Sequence, residues 1–333
     1  MRGLSTRAQQ EVQRIVFPEG EDVRIIKAAR ILADEGIAHP VLLGDMDAMR
    51  RQADDAGITL EELELANPRA AADAEDYAQR LWERRRRRGI TLREARLRVR
   101  DPMYYGLLML DAGRADALVA GEEMHYPDAI RPCLEVIGVE PGRAHVSGIY
   151  MLVFQQHTFF FADCTVNIDP DAETLAEIAS DTARFVRRLG IEPRVALLSF
   201  SNFGSVRHPL ADKVRRAVAL LQEREPTLAV DGEMQADTAV VEQILTGRYP
   251  FARLQSAANV LIFPGLDAAN IAYKLLDRIG GAQAIGPILV GMARPVHVLQ
   301  RGSEVSDIVN MAVIAAVDAL ERRRPARARP DAV

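Results

Sequence analysis

The chain has 333 residues, 48% of them apolar and 27% charged, with a formal net charge of −5. That length supports two domains of ordinary size, the composition excludes a disordered chain, and the acidic balance argues against a general nucleic-acid binder. No apolar run reaches the roughly 18 residues that span a bilayer, and the start Met1-Arg2-Gly3-Leu4-Ser5-Thr6-Arg7 lacks the apolar core of a signal peptide. The expectation is a soluble, cytoplasmic protein with neither membrane nor nucleic-acid partner. Cys133 and Cys164 are too few for a disulfide framework and lack metal-ligand spacing, so they read as two buried thiols.

Ile15-Val16-Phe17 reads as a short strand stopped by Pro18-Glu19-Gly20. Val23, Ile26, Ala29 and Ala33 then recur at helical spacing up to Gly36, and residues 39–44 form the next strand. Strand, helix, strand is a βαβ unit, which implies a parallel sheet with a right-handed crossover. Further on, Glu83 is followed by an arginine run, Arg84 to Arg88. A solvated helix end accounts for such a run, since cations are favoured near the C-terminal dipole. Helical spacing nevertheless puts Tyr77, Leu81 and Arg85 on one stripe, which lets Arg85 lie along the packed side while Arg86 and Arg87 face water.

Asp101-Pro102 is an N-cap followed by proline at the first helical position, and its helix runs through Tyr105, Leu108 and Met109 to Gly113. Ala117-Leu118-Val119-Ala120-Gly121 is a strand leading into a loop, beyond which lies Arg131 in Asp128-Ala129-Ile130-Arg131-Pro132. Loops at the carboxyl ends of parallel strands are where open α/β sheets bind ligands, although a surface arginine needs no such role. From about residue 146 the character changes to paired strands, 145–154 and 158–163, which suggests a hairpin or two neighbouring strands and a second domain. A long helix from about Asp171 to Leu189, a strand at 195–200 and another at 259–263 follow. The chain shows no internal repeat, and its tail from Arg323 to Pro330 reads as disordered.

Three segments could carry chemistry. The turn from Ser199 to Ser205 follows a strand and precedes a helix near Pro209; its small, hydroxyl-rich residues could donate to a phosphate or simply connect the two elements. It has no Walker A lysine and no GxGxxG. Asp231-Gly232-Glu233-Met234-Gln235-Ala236-Asp237 groups three carboxylates, open to magnesium or to capping and loop solvation. The third segment reads as a buried strand at 286–291, a loop with a cation at 295–302, and a helix opening at Ser306-Asp307. It brings a guanidinium, a carboxylate and free helix N–H groups together, a setting for a phosphate or acyl phosphate, although Asp307 at a helix start is also ordinary capping chemistry. No HxxxH or HxH pair suggests zinc, and no GxSxG elbow suggests a hydrolase.

Together these segments resemble the phosphotransacetylase (phosphate acetyl/butyryl transferase) family over nearly the whole chain. The most telling stretches are Asp101-Pro102-Met103-Tyr104-Tyr105-Gly106, the acidic segment 231–237, and residues 263–273. Within the family the chain is most similar to the C-terminal domain of hybrid NADP-dependent malic enzymes, notably at Leu197 to Ser205. The resemblance implies two three-layer α/β domains with mainly parallel sheets and a cleft between them, an isocitrate-dehydrogenase-like architecture. It implies a discontinuous first domain, 1–146 plus 298–333, a second domain at 147–297 that dimerises, and a homodimer or larger homo-oligomer.

In active members a carboxylate acts as base on the thiol of coenzyme A, which attacks the carbonyl of an acyl phosphate, while arginines hold the phosphate. By motif, Asp307 matches the base and Arg301 the arginine of the Ser-Arg-Gly loop. Arg131 matches the arginine of a Leu-Arg-Pro motif with Ile130 in the leucine place, and Arg85 a further arginine. Ser201, Asn202, Gly204 and Ser205 are expected substrate-binding residues, as is Gln300, which stands where the family has serine. A glutamine amide can donate a hydrogen bond but is bulkier than a hydroxyl, and loss of one transition-state donor costs on the order of a hundredfold. Two functions remain open. One is a phosphate acyltransferase moving a short acyl group, acetyl first, between coenzyme A and phosphate. The other is an acetyl-CoA-binding regulatory domain of a malic enzyme with impaired turnover. Either way no cofactor is permanently bound, and coenzyme A or acetyl-CoA serves as substrate or effector.

Overall fold

The structure, a computed structural model, describes residues 1–121 and 126–324. The chain divides into two compact units, Met1–Gly138 with Met292–Val333, and Val139–Gly291.

The first unit runs α1 (Arg2–Ala8), β1 (Gln13–Phe17), α2 (Val23–Asp34), β2 (Ala38–Leu43), α3 (Met46–Ala56), β3 (Glu64–Ala66), α4 (Ala74–Arg85), α5 (Leu92–Arg98), α6 (Pro102–Asp111), β4 (Ala117–Ala120) and α7 (Tyr126–Val136). Local chemistry accounts for the helix starts. Asp22, Asp45 and Asp101 each accept backbone N–H groups from the first turns of α2, α3 and α6, and Pro102 fills the first position of α6, where a missing N–H costs nothing. Thr91 and Glu94 form a reciprocal capping box on α5.

The second unit runs β5 (Ser147–Val153), β6 (Thr158–Ala162), α8 (Ala172–Arg188), β7 (Arg194–Leu198), α9 (Pro209–Arg224), β8 (Ala229–Met234), α10 (Ala236–Val240), α11 (Glu242–Arg248), β9 (Val260–Ile262), α12 (Leu266–Arg278) and β10 (Gln283–Val290). Its sheet has the order β10-β5-β6-β9-β7-β8. The paired strands expected in the middle of the chain are the antiparallel pair β5–β6, with Tyr150 opposite Phe161, and β10 adds a further antiparallel edge beside β5. The remaining pairs are parallel.

The chain then returns to the first unit as β11 (Val296–Val298) and α13 (Val305–Arg323). The first sheet is parallel throughout, in the order β11-β4-β1-β2-β3. Strand order runs outward from β1 through β2 to β3, then reverses to β4 on the other side. This is the topological switch at which open α/β sheets form ligand crevices. Beneath it, α13 packs against β4 and β1, burying Ile308, Met311, Ala312, Ile314 and Ala315 as the periodicity predicts, and Val313, Val317 and Leu320 as well. Each large aliphatic side chain so buried contributes about 1.5–3 kcal/mol.

Three readings change. Residues 296–298, taken as part of a loop, are a strand of the first sheet, so the units exchange at Met292 rather than at residue 298, and at Gly138 rather than at 146. Asp231 and Glu233, taken as a loop cluster, lie in strand β8. The last helix starts at Val305 with Glu304 as its N-cap, two residues before Asp307. Both cysteines are free and buried, and burial pushes the Cys133 thiol up to about 12. No described helix is long and apolar enough to cross a membrane. The expectation for the tail beyond Arg324 falls outside the described residues.

Gly121 ends β4 with φ +101°, and a Cβ there would sit 2.7 Å from Val298 Cγ1 and 3.1 Å from the Leu299 carbonyl oxygen. Gly121→Ala is therefore expected to lower the unfolding free energy by roughly 1–3 kcal/mol, through left-handed strain and overpacking against β11. Urea denaturation monitored by circular dichroism checks this.

Candidate active site

The carboxyl ends of β1, β4 and β11 lie side by side and carry Glu19, Gly121 and the 299–303 loop. One carboxylate oxygen of Glu19 accepts the Gly121 N–H at 2.8 Å, bridging the switch point between β1 and β4. The Leu299 N–H donates to the Ala120 carbonyl at 2.6 Å, which fixes where the loop after β11 begins. Gln300 to Ser303 then form a tight turn. The Gln300 carbonyl accepts the Ser303 N–H at 3.2 Å and the Ser303 hydroxyl at 2.7 Å, and Gly302 adopts φ +81°. Gln300 and Arg301 are exposed on that turn. Asp307 is half-buried at the third position of α13, where its Oδ2 accepts the Glu304 backbone N–H at 3.1 Å. The capping role foreseen for Asp307 is thus real, and it engages Oδ2 through a single N–H.

The strand β4 leads to α7, which carries Arg131. That side chain is exposed, and neither it nor Arg301 makes an ion pair with a described residue. Since β4 and β11 are neighbouring parallel strands, about 4.8 Å apart, the elements bearing Arg131, Arg301 and Asp307 all leave the same edge of one sheet. Arg85 joins them through α7. It is the last residue of α4, below the buried Tyr77 and Leu81, and its guanidinium lies 3.4 Å from Glu135 of α7. Arg86 and Arg87 are exposed, as the helical spacing predicts, and so is Arg88. Sequence reasoning missed Glu135 itself, together with Arg98, which pairs with Glu135 at 2.7 Å. The signal was available in part: Glu135 stands four residues after Arg131, so the two share one face of a helix.

The turn from Ser199 to Ser205 lies in the second unit, and its donors point inward. The Ser201 hydroxyl and the Gly204 N–H both donate to Oε1 of Glu233, at 2.9 and 2.8 Å. Arg215 reaches the same carboxylate from α9 at 3.2 Å. The Ser205 hydroxyl accepts the Asn202 N–H at 2.9 Å, and the Asn202 side-chain oxygen accepts the Gln235 N–H at 2.8 Å. Of the groups expected to meet a phosphate, Ser201 and Gly204 are thus engaged by a buried carboxylate, and Asn202 and Ser205 by each other and by Gln235. Burial raises the Glu233 carboxyl, but the hydrogen bonds from Arg215, Gly204 and Ser201 outweigh it and hold the group below its ordinary value. Asp231 accepts the N–H groups of Gly232 and Arg253. No group of three or more His, Cys, Asp or Glu among the described residues is arranged to hold a metal ion.

A cavity of about 370 Å³ opens at the carboxyl ends of β7 and β9, lined by Ile168, Phe200, Leu210 and the first turn of α12. Its cation, Lys213, donates to Asp169 and to the Pro264 carbonyl, both at 2.9 Å. Arg131 and Arg301 differ from Lys213 in being exposed cations without an ion pair among the described residues.

The fold has close counterparts among solved structures. The chain is similar to a phosphotransacetylase from Streptococcus pyogenes, with a TM-score of 0.91 at 37% identity, covering 96% of this chain and 98% of that one. It is equally similar to EutD phosphotransacetylase from Staphylococcus aureus, with a TM-score of 0.90 at 36% identity over 96% and 97% of the two chains. In sequence it is 41% identical over 320 residues to a phosphate acetyltransferase of Acetivibrio thermocellus, spanning 94% of this chain and 96% of that protein. The pattern of the Phosphate acetyl/butaryl transferase family matches residues 1–316, and the chain belongs to that family.

The depressed Glu233 carboxyl fixes a pH dependence. A carboxyl held lower in the folded state adds stability that is fully present above its unfolded value, near 4.5, and is lost as pH falls through the folded value. The stability deficit of Glu233→Gln is accordingly expected to be largest near neutral pH and to shrink progressively below about pH 4.5. Urea midpoints measured from pH 7 to pH 3 test this.

Proposed function

We propose that this chain moves a short acyl group, acetyl first, between coenzyme A and phosphate by way of an acyl phosphate. The observation that carries the reading is the arrangement at one edge of the first sheet. Arg301 and Asp307 follow β11 within one loop and helix turn, and Arg131 follows β4, its parallel neighbour. Family membership and the names of the relatives support the same chemistry.

In this reading Asp307 takes the proton of the coenzyme A thiol through the carboxylate oxygen not used in capping. The sulfur then forms a bond to the acyl carbon. The resulting tetrahedral centre collapses with cleavage of the bond between carbon and the bridging phosphate oxygen, and phosphate leaves with that electron pair. Arg301, Arg131 and Arg85 hold the phosphate and offset the charge that develops on it, which guanidiniums do well because their fork matches phosphate oxygens. Gln300 offers its amide N–H where the family has a hydroxyl. The 201–205 turn enters the reading as the folded cover of the β7 end, its donors held by Glu233.

A coenzyme A sensor attached to a malic enzyme has less support, because the relatives named above are acetyltransferases and phosphotransacetylases and the charged groups are retained. Self-association is part of the proposal. Along α12 and its C-cap, Ile271, Leu275 and Ile279 are 59, 52 and 81% exposed at intervals of four, an apolar patch suited to a second copy of the chain.

Acetyl-CoA formation from acetyl phosphate and coenzyme A tests the activity. The wild-type chain is expected to turn over. Asp307→Asn should lose about 10²–10⁴-fold in kcat, the range for removal of a general base, and Arg301→Ala on the order of a hundredfold. Wild-type inactivity, or full activity in both variants, would overturn the assignment. Sedimentation of Leu275→Glu checks the patch: the variant should run as a smaller species than the wild type.

A further inference from the structure

The motif Asp101-Pro102-Met103-Tyr104-Tyr105-Gly106 has so far supplied only a helix start, yet Tyr104 reaches the arginine set. Four helix ends meet around Glu135. Its Oε2 accepts Arg98, the last residue of α5, at 2.7 Å and the Tyr104 hydroxyl of α6 at 2.8 Å. The same Arg98 nitrogen lies 3.2 Å from the Tyr104 hydroxyl, and its guanidinium carbon lies 5.6 Å from the centre of the Tyr104 ring. These contacts close a ring of three side chains and fix the carboxylate. The other oxygen, Oε1, faces only the Arg85 guanidinium among the described residues, at 3.4 Å.

The two halves of this carboxylate differ. The Oε2 side has two short, strong bonds, whereas the Arg85 contact is longer than the 2.7–2.9 Å of a firm charge-assisted hydrogen bond. Arg85 is therefore aimed by Glu135 without being consumed by it, and keeps donors for a second anion. Arg84 donates to the Val136 carbonyl and to Asp111, and Arg86 to Arg88 are exposed, so among the described residues it is Glu135 that faces the Arg85 guanidinium. Charge balance completes the case. Glu135 faces Arg85 and Arg98 at once, so two cations meet one carboxylate, and a third, Arg131, stands one turn earlier on the same helix.

We infer that Glu135, clamped by Arg98 and Tyr104, is a positioning residue that aims Arg85 at the phosphoryl group. It does not bind that group itself, since a carboxylate repels phosphate. This rests on the acyltransferase reading above, and the test separates the two.

In the wild type and in Arg85→Ala, Glu135→Gln is introduced and the acetyl phosphate assay repeated. Removing a negative charge beside the cations cannot weaken ground-state attraction of an anion, so KM for acetyl phosphate should be no higher than wild type. Loss of aim should lower kcat about tenfold. In the Arg85→Ala background the same change should cost nothing further, as expected for residues acting as one unit. Tyr104→Phe, which leaves the Arg98 contact, should give a smaller fall in kcat of the same kind. An unchanged kcat in Glu135→Gln, or an equal loss with and without Arg85, would overturn the inference.

A readout independent of turnover is the guanidinium Nη–H resonance of Arg85, the group that faces Glu135, assigned by Arg85→Lys in the full chain. It should be observable in the wild type and lost to water exchange in Glu135→Gln. An inactive wild type would sink the acyltransferase reading alone, whereas an unchanged resonance would sink the positioning role alone.

Discussion

Everything at the candidate site depends on one pairing, the parallel alignment of β11 with β4. His297 stands opposite Val119 and Val298 opposite Ala120. That register is held by backbone hydrogen bonds, continued by the Leu299–Ala120 bond, and by the absence of a side chain at Gly121, which lets the two chains approach. A strand of three residues has little intrinsic stability of its own. Its place is secured by α13, whose buried side chains pack against β4 and β1, so the helix that carries Asp307 also anchors the strand that delivers Arg301.

The arginines form a hierarchy of commitment. Arg84 is fully engaged with Val136 and Asp111, Arg98 is bound to Glu135 and Tyr104, Arg85 is held at arm's length, and Arg131 and Arg301 stand exposed. In the second unit the pattern is the opposite. Glu233 gathers the donors of the 201–205 turn, and Lys213 is taken up by Asp169 and a carbonyl. Burying Glu233 is tolerable because each oxygen finds partners, as a buried carboxylate requires. The two units thus differ in what they offer an anion, the first having exposed cations and the second a cation and turn donors that are already engaged.

Much of this was legible in the sequence where the signal is local. The βαβ start, the Asp101-Pro102 helix cap, the β5–β6 pair and the buried stripe of α13 each follow from periodicity or capping within a dozen residues. Arg85 could be separated from its neighbours by helical spacing alone. What escaped was set at long range. Val296–Val298 is too short to show an alternation, and only β4, far away in the chain, makes it a strand. Strand β8 is masked by its carboxylates, whose partners Arg215, Arg253 and Ser201 lie outside it. Glu135 was missed for the same reason: nothing near it in sequence reveals that the ends of α4, α5 and α6 converge on it.

The interruption of the first unit also sets an order in time. As the chain is synthesised from its N-terminus, β4 emerges with β1 as a neighbour, and its other edge stays open while the whole of Val139–Gly291 is made. The second unit is contiguous and can close its own sheet before Val296 exists, so it is poised to fold first. An open strand edge is a template for wrong partners, and β4 is short and wholly apolar. The late arrival of β11 and α13 therefore makes the closing of the open edge of β4 coincide with the delivery of Arg301 and Asp307 beside it.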